Sequence, residues 1–138
     1  MRVRPAGPDD IATLLALDPI AARSVDRARS IAQWVGAGWC SAAEIDGELA
    51  GYAVVHPHFF GRNFLEMLMV APAFRRRGVG CALLVRALDA QPGAILWTST
   101  NQSNAPMRNL LAQFGFTQMG VIEGLDEGDP ELIFRSGV

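Results

Sequence analysis

"VAPAFRRRGVGCALL", residues 70–84, joins three consecutive arginines to two glycines flanking a valine, then to an apolar run. The preceding run "NFLEMLMV" is β-compatible and is stopped by Pro72. From Gly78 onward Val79, Leu83, Leu84, Ala87 and Leu88 recur at helical spacing, with Arg86 and Asp89 on the other side. The stretch is therefore read as a turn between the end of a strand and the start of a helix. There the first helical N–H groups lack internal acceptors and the macrodipole is positive, which favours an anion such as phosphate. Gly78 and Gly80 remove side chains that would keep an anion off the backbone, and Arg75, Arg76 and Arg77 can add charge-assisted bonds. Two known phosphate patterns fail. A Walker loop needs Gly-Lys-Ser/Thr and the chain has no lysine; a dinucleotide fingerprint needs a third glycine where Leu83 stands. For Gly-x-Gly alone, a glycine-bearing loop with solvated arginines is the plain alternative.

Working outward, "RVRPA" reads as a short strand, and Pro8-Asp9-Asp10 starts a helix over "IATLLALD" that Asp18-Pro19 ends. A second helix follows Ser24, with Ala28, Ile31, Ala32 and Val35 on one face. "WCSAAEI" and "ELAGYAVVH" are strands joined by Asp46-Gly47, a two-residue hairpin signal, and "PHFFGR" is a loop before the third strand of this group. After the helix that begins at Gly78, "AILWTST" is an apolar strand covered on both faces. "SNAPM" opens another helix with Pro106 in its first turn, and Gly115 closes it before "FTQMGVI" and "ELIFR". The order is β-α-α-β-β-β-α-β-α-β-β, an α/β mixed sheet with helices on both sides.

The length of 138 residues, half of them apolar, suits one domain over 1–138. No apolar run approaches the ~20 residues of a membrane span, and the N-terminus lacks the apolar stretch of a signal peptide, so no membrane association is expected and the location is read as cytoplasmic. Cys40 and Cys81 have no metal-like spacing and read as buried apolar residues. A net charge of −2 argues against a nucleic-acid partner. The charge is unevenly spread: arginines 62, 75, 76, 77 and 86 lie mid-chain, whereas Glu123, Asp126, Glu127, Asp129 and Glu131 crowd the C-terminal end.

Arg75-x-x-Gly78-x-Gly80, preceded by "LMVAP" and followed by an apolar helix, resembles the acetyl-CoA signature of the GNAT N-acetyltransferase superfamily. The resemblance spans most of the chain and includes the order of elements. The family's second cofactor element, an asparagine opening the helix before a Gly-Phe pair, has its counterpart in "NAPMRNLLAQFGF", with Asn104 at the asparagine's position. The resemblance implies the GNAT fold, with the strand ending at Val70 and "AILWTST" parallel and splayed at their C-terminal ends. It implies that the backbone of Leu68 and Val70 pairs with the pantetheine arm of acetyl-CoA. The amides of Arg76, Arg77, Gly78, Val79, Gly80 and Cys81 would then hold the pyrophosphate.

Acetyl transfer to an amine requires a neutral nitrogen and a departing thiolate. Glu66 is the candidate catalytic base: alternation puts it on the face of Leu68 and Val70, and some small-amine acetyltransferases of the family carry glutamate here. Burial in "FLEMLMV" would raise its pKa; moving it from about 4.3 to about 7 costs roughly 3 to 4 kcal/mol. The alternative is a glutamate bonded to structure or paired with an arginine. His56 and His58 read as loop histidines, and no third ligand joins them, so no metal is expected. Many family members place a tyrosine four residues before the glycine of Gly-Phe as the general acid; Leu111 stands there and cannot donate a proton. Tyr52 reads as packing, and Trp34, Trp39, Phe59 and Phe60 each read as core, with Phe59-Phe60 beside Gly61 as an alternative lining for a substrate mouth. The acidic stretch before "ELIFR" could select a cationic amine or be solvated surface.

The expectation is an acetyl-CoA-dependent N-acetyltransferase acting on a primary amine of a small molecule, peptide or protein, without a covalent enzyme intermediate. A homodimer is compatible with it. The alternative is a non-catalytic acyl-CoA-binding sensor or interaction domain that retains the fold.

Overall fold

In the computed structural model, which describes residues 1–137, the strands and helices alternate as the hydrophobic periods require. The strands are β1 (Arg2–Pro5), β2 (Cys40–Ile45), β3 (Glu48–Phe59), β4 (Arg62–Val70), β5 (Trp97–Asn101), β6 (Thr117–Ile122) and β7 (Glu131–Arg135). The helices are α1 (Ile11–Leu17), α2 (Val25–Gly36), α3 (Val79–Asp89) and α4 (Ala105–Gln113). The order of elements is the one expected, and the strands follow β1-β2-β3-β4-β5-β7-β6 across a seven-stranded sheet. No helix among the described residues is long and apolar enough to cross a membrane. The chain forms two compact units, the first from residues 1–55 and 67–86, the second from residues 56–66 and the chain from Ala87 on.

In the first unit β2 pairs antiparallel with β1 and β3, and Asp46 (φ 52°) and Gly47 (φ 81°) make the tight turn their sequence announces. A register shift at Ala43/Glu44 sits beside Gly51. A Cβ on Gly51 would collide with the Met69 carbonyl oxygen, so glycine here lets β3 lie close against the end of β4. Leu14, Ile31, Val35, Cys40, Tyr52 and Val54 form the core. The buried face of α2 is narrower than its periodicity suggests: Ile31 and Val35 are buried, but Ala32 is exposed. Cys40 is buried and its thiol is pushed up to about 12, first by burial; Cys81 is only half-buried, which corrects the expectation for that residue.

Polar links fix the helices of this unit. Ser24 caps α2, its hydroxyl accepting from the Arg27 amide at 3.2 Å. Arg4 donates to both oxygens of Asp10 (2.8 and 2.9 Å) and to Glu44 (2.6 Å), and its bond holds the Asp10 carboxyl down to about 2. Asp18 is fully buried; Oδ1 accepts from the Ile20 and Ala21 amides, and Oδ2 from the Tyr52 hydroxyl at 2.6 Å and Arg27 at 3.0 Å. Burial opposes its ionisation, but these bonds together outweigh burial and keep its pKa below the ordinary value. Tyr52, read as packing, is also the donor that satisfies this carboxylate. Burial, then the bond to Asp18, raises the pKa of its phenol.

In the second unit β4 and β5 are parallel, with register Phe64↔Trp97 and Leu65↔Thr98, and the Thr98 hydroxyl donates to the Leu65 carbonyl at 2.9 Å. β7 lies antiparallel between β5 and β6. Leu65, Leu96, Leu111, Phe116, Leu132 and Phe134 are buried. Two boundaries differ from expectation. β3 runs on through Pro57 and His58 to Phe59 because Phe59 stacks on Phe64 (4.6 Å) and Trp97 (5.7 Å), so the turn is Phe60 (φ 51°) and Gly61 (φ 72°) rather than a longer loop. β5 begins at Trp97, since Pro92–Ala94 forms a 3-10 turn with Gly93 and Ala94 left-handed.

Candidate cofactor-binding turn and catalytic residues

After β4 the chain makes a 3-10 turn over Pro72–Phe74, extends at Arg75 (φ −66°, ψ 154°), and enters α3 at Val79. Between these, Arg76 (φ 63°) and Gly78 (φ 78°) are left-handed. For Arg76 that conformation costs about 1 kcal/mol, strain of the kind found at ligand clamps. The sequence carries no signal for it, since the three arginines look alike. A Cβ on Gly78 would meet nothing within 4 Å, so backbone conformation requires glycine there and the space above it is open. The α3 ladder begins with the Ala82 amide donating to the Gly78 carbonyl at 3.0 Å; the amides of Val79, Gly80 and Cys81 precede it in the helix's first turn.

Arg75, Arg76, Arg77 and Gly78 are exposed, Gly80 and Cys81 are half-buried, and the buried Val79 side chain anchors the turn. No guanidinium of the three has a hydrogen bond or ion pair among the described residues; Arg77 lies over the Phe74 ring at 5.6 Å. Leu68 and Val70 are half-buried at the end of β4, beside the Ala71 amide that donates to the Ala50 carbonyl at 2.8 Å. Open space, first-turn amides and unengaged cations on one turn fit a pyrophosphate.

In the second unit Asn104 is the N-cap of α4, its side chain accepting from the Met107 amide at 3.2 Å. The helix ends in a Schellman motif: the Phe116 amide donates to Leu111 (3.0 Å), the Gly115 amide to Ala112 (3.2 Å), and Gly115 is left-handed at φ 78°. Leu111 is fully buried, so it packs the helix and offers no proton.

Glu66 is exposed, which corrects the expected burial: its neighbours Phe64 and Leu65 are buried, but its own side chain reaches solvent. It also has no hydrogen bond or ion pair among the described residues, so a structural pairing does not account for it. His56 and His58 lie on β3, stacked at 5.9 Å, with His56 against Phe64. Phe60 is 82% exposed.

The acidic loop after β6 is largely tied down. Asp129 accepts from the Ser103 amide (3.0 Å) and hydroxyl (2.6 Å), while Asn101 donates to Asp126 (2.8 Å), fastening the loop to the end of β5 and the approach to α4. These two acids therefore serve the local fold. Two clefts of this unit, about 380 Å³ beside Trp97 and Arg135 and about 520 Å³ within the acidic loop, contain none of the proposed cofactor or catalytic residues. No group of three or more metal-ligating side chains occurs among the described residues.

The sequence matches the acetyltransferase (GNAT) family over residues 9–116. A crystal structure of a GNAT family acetyltransferase from Bacillus cereus is 32% identical, with 98% of this chain and 95% of that chain covered and a TM-score of 0.90. The ribosomal-protein-alanine N-acetyltransferase of Brucella melitensis shares the fold at 22% identity, full coverage of both chains and a TM-score of 0.77. So does a GNAT family acetyltransferase from Elizabethkingia anophelis solved with acetyl-CoA bound, at 20% identity, 99% and 97% coverage and a TM-score of 0.74. A search of the curated proteins found no match. With the family pattern extending over residues 9–116 and a relative 32% identical over nearly the whole of both chains, this chain belongs to the GNAT acetyltransferase family.

Proposed function

We propose that this chain transfers an acetyl group from acetyl-CoA directly to a primary amine of a small molecule, peptide or protein. The observation that carries the reading is the turn from Arg75 to Cys81: left-handed Arg76 and Gly78, open space over Gly78, and three arginines without hydrogen bonds or ion pairs among the described residues. Acetyl-CoA, when bound, supplies the acyl group activated as a thioester. The amides from Arg76 to Cys81 hold the pyrophosphate, with Arg75, Arg76 and Arg77 adding charge-assisted bonds. The main chain of Leu68 and Val70 offers strand-like hydrogen bonds to the pantetheine arm, and Asn104 holds the start of α4 for the cofactor. Glu66, unpaired and open to solvent, accepts the proton of the substrate ammonium directly or through water. With Leu111 in place of a phenol, the thiolate leaves without an acid from that position. The reading keeps the cytoplasmic location expected from the sequence and is compatible with a homodimer.

The test is release of CoA thiol from acetyl-CoA across a panel of small amines and peptide N-termini. Turnover with any amine supports the reading and ends the binding-only alternative; acetyl-CoA binding with no turnover on any of them rejects it. Glu66→Gln is expected to leave acetyl-CoA affinity intact and lower the rate most at low pH, where the ammonium most needs a base. An unchanged pH–rate profile removes Glu66 from the mechanism.

A further inference from the structure

The cleft of about 380 Å³ in the second unit, where β4 and β5 begin and β7 ends, is lined by two arginines and by no acidic side chain. Trp97 registers with Phe64 of β4 on one side and with Arg135 of β7 on the other, and Arg62 lies two residues before Phe64. Side chains two apart share a face of a strand, so Arg62, Trp97 and Arg135 stand on one face, the two arginines on strands about 10 Å apart. Pro92 and Ile95 extend the apolar wall, and Phe59, 5.7 Å from Trp97, backs the half-buried indole. Bonds within the same unit fix the surrounding chain. Asn63 Nδ2 donates to Gln91 Oε1 at 2.5 Å, Gln91 Nε2 to the Ala87 carbonyl at 3.0 Å, and the Ser136 hydroxyl to the Ala94 carbonyl at 2.5 Å.

Neither guanidinium is neutralised within the fold. Arg62 Nη1 donates to the Phe60 carbonyl at 2.7 Å, which steadies the side chain without balancing its charge. Arg135 has neither a hydrogen bond nor an ion pair among the described residues, and the three ion pairs found there all lie in the first unit. We infer that this cleft binds a small aromatic carboxylate, its ring against Trp97 and Ile95 and its carboxylate between Arg62 and Arg135. Each guanidinium presents a planar fork that matches a carboxylate, and two long side chains on strands about 10 Å apart can converge on one anion. The anion relieves the repulsion between the two like charges. The indole and Ile95 supply the apolar surface and the flat face on which a ring stacks. The volume suits a ligand of one or two rings. The cleft shares no residue with the Arg75–Cys81 turn, Glu66 or Asn104, and the proposal does not depend on the enzymatic reading.

Isothermal titration of the full chain with 2-naphthoate is the test. Binding with a Kd on the order of 100 μM is expected, weakening as salt rises. Arg135→Gln and Arg62→Gln should each weaken it about tenfold. 2-Naphthalenemethanol keeps the rings without the charge, and acetate keeps the charge without the rings; each should bind at least about tenfold more weakly than 2-naphthoate. Arg75→Gln, on the turn after β4, should leave the Kd for 2-naphthoate unchanged. Circular dichroism and Tm establish that each variant folds; if Arg62→Gln loosens the turn at Phe60, Arg135→Gln decides the matter. No binding of 2-naphthoate at about 5 mM overturns the proposal. So does a Kd indifferent to Arg135→Gln, equal binding of either control compound, or a loss with Arg75→Gln as large as that with Arg135→Gln.

Discussion

Arg75, Arg76 and Arg77 stand exposed on a partly left-handed turn with no internal acceptor for their guanidiniums, whereas Asp126 and Asp129 are bonded to Asn101 and Ser103. In the sequence both stretches are runs of like charge next to glycines, and charge by itself does not separate them. The structure separates them by what each charge already touches. A charge bonded within the fold holds its own loop; charges left unengaged beside strained backbone and first-turn amides are available to a ligand. Asp18 is the buried extreme of the first kind, with four donors converging on it.

The largest effect is expected at the turn. Gly80→Gln places a side chain where the proposed function brings the pyrophosphate to the backbone, and should weaken acetyl-CoA binding on the order of 100-fold, about 3 kcal/mol, with Tm of the free protein nearly unchanged. Thermal shift with and without acetyl-CoA measures it. An undiminished shift would remove the functional side of the contrast.

Tyr52→Phe tests the buried extreme. Loss of the hydroxyl leaves Asp18 with one donor fewer and should cost about 2 kcal/mol of stability, while acetyl-CoA affinity stays the same. The pH dependence has a definite sign. The phenol's folded pKa lies above its ordinary 10.0, so its contribution is whole below pH 10 and is lost as pH rises above that through the folded value. Asp18 runs the other way: its folded pKa lies below the ordinary 3.8, so its contribution is present above pH 3.8 and is lost as pH falls below that. Denaturant melts from pH 3 to 11 should show wild type losing its advantage over Tyr52→Phe at the alkaline end; parallel curves there would mean that the hydroxyl is not what Asp18 depends on.

The smallest effect belongs to the acidic loop. Asp129→Asn keeps an oxygen for one Ser103 donor but removes the charge, and should lower stability by roughly 1 kcal/mol without altering the KM of any amine at low salt. A rise in amine KM would return Asp129 to acceptor selection and blur the contrast.

Periodicity and capping chemistry made the elements legible: Ser24, Asn104 with Pro106, Gly115, and Asp46-Gly47 act within a few residues of themselves, and each begins or ends the element expected of it. Local chemistry also marked the Arg75–Gly80 turn, because a strand end, a proline and two glycines before an apolar helix leave few other conformations. The sequence by itself thus determined the order of strands and helices and the place of the glycine-bearing turn between β4 and α3. Only the tertiary structure decided the rest. β3 reaches Phe59 because Phe64, just across the turn, and Trp97, distant in sequence, both pack on it. Glu66 is exposed because its surroundings on β4 leave it uncovered, whatever the apolarity of its neighbours. Tyr52 is a hydrogen-bond donor because Asp18, 34 residues away, folds back beneath it. Burial and pairing depend on which remote residues arrive, and that is a property of the packed chain, whereas propensity and capping are settled between neighbours.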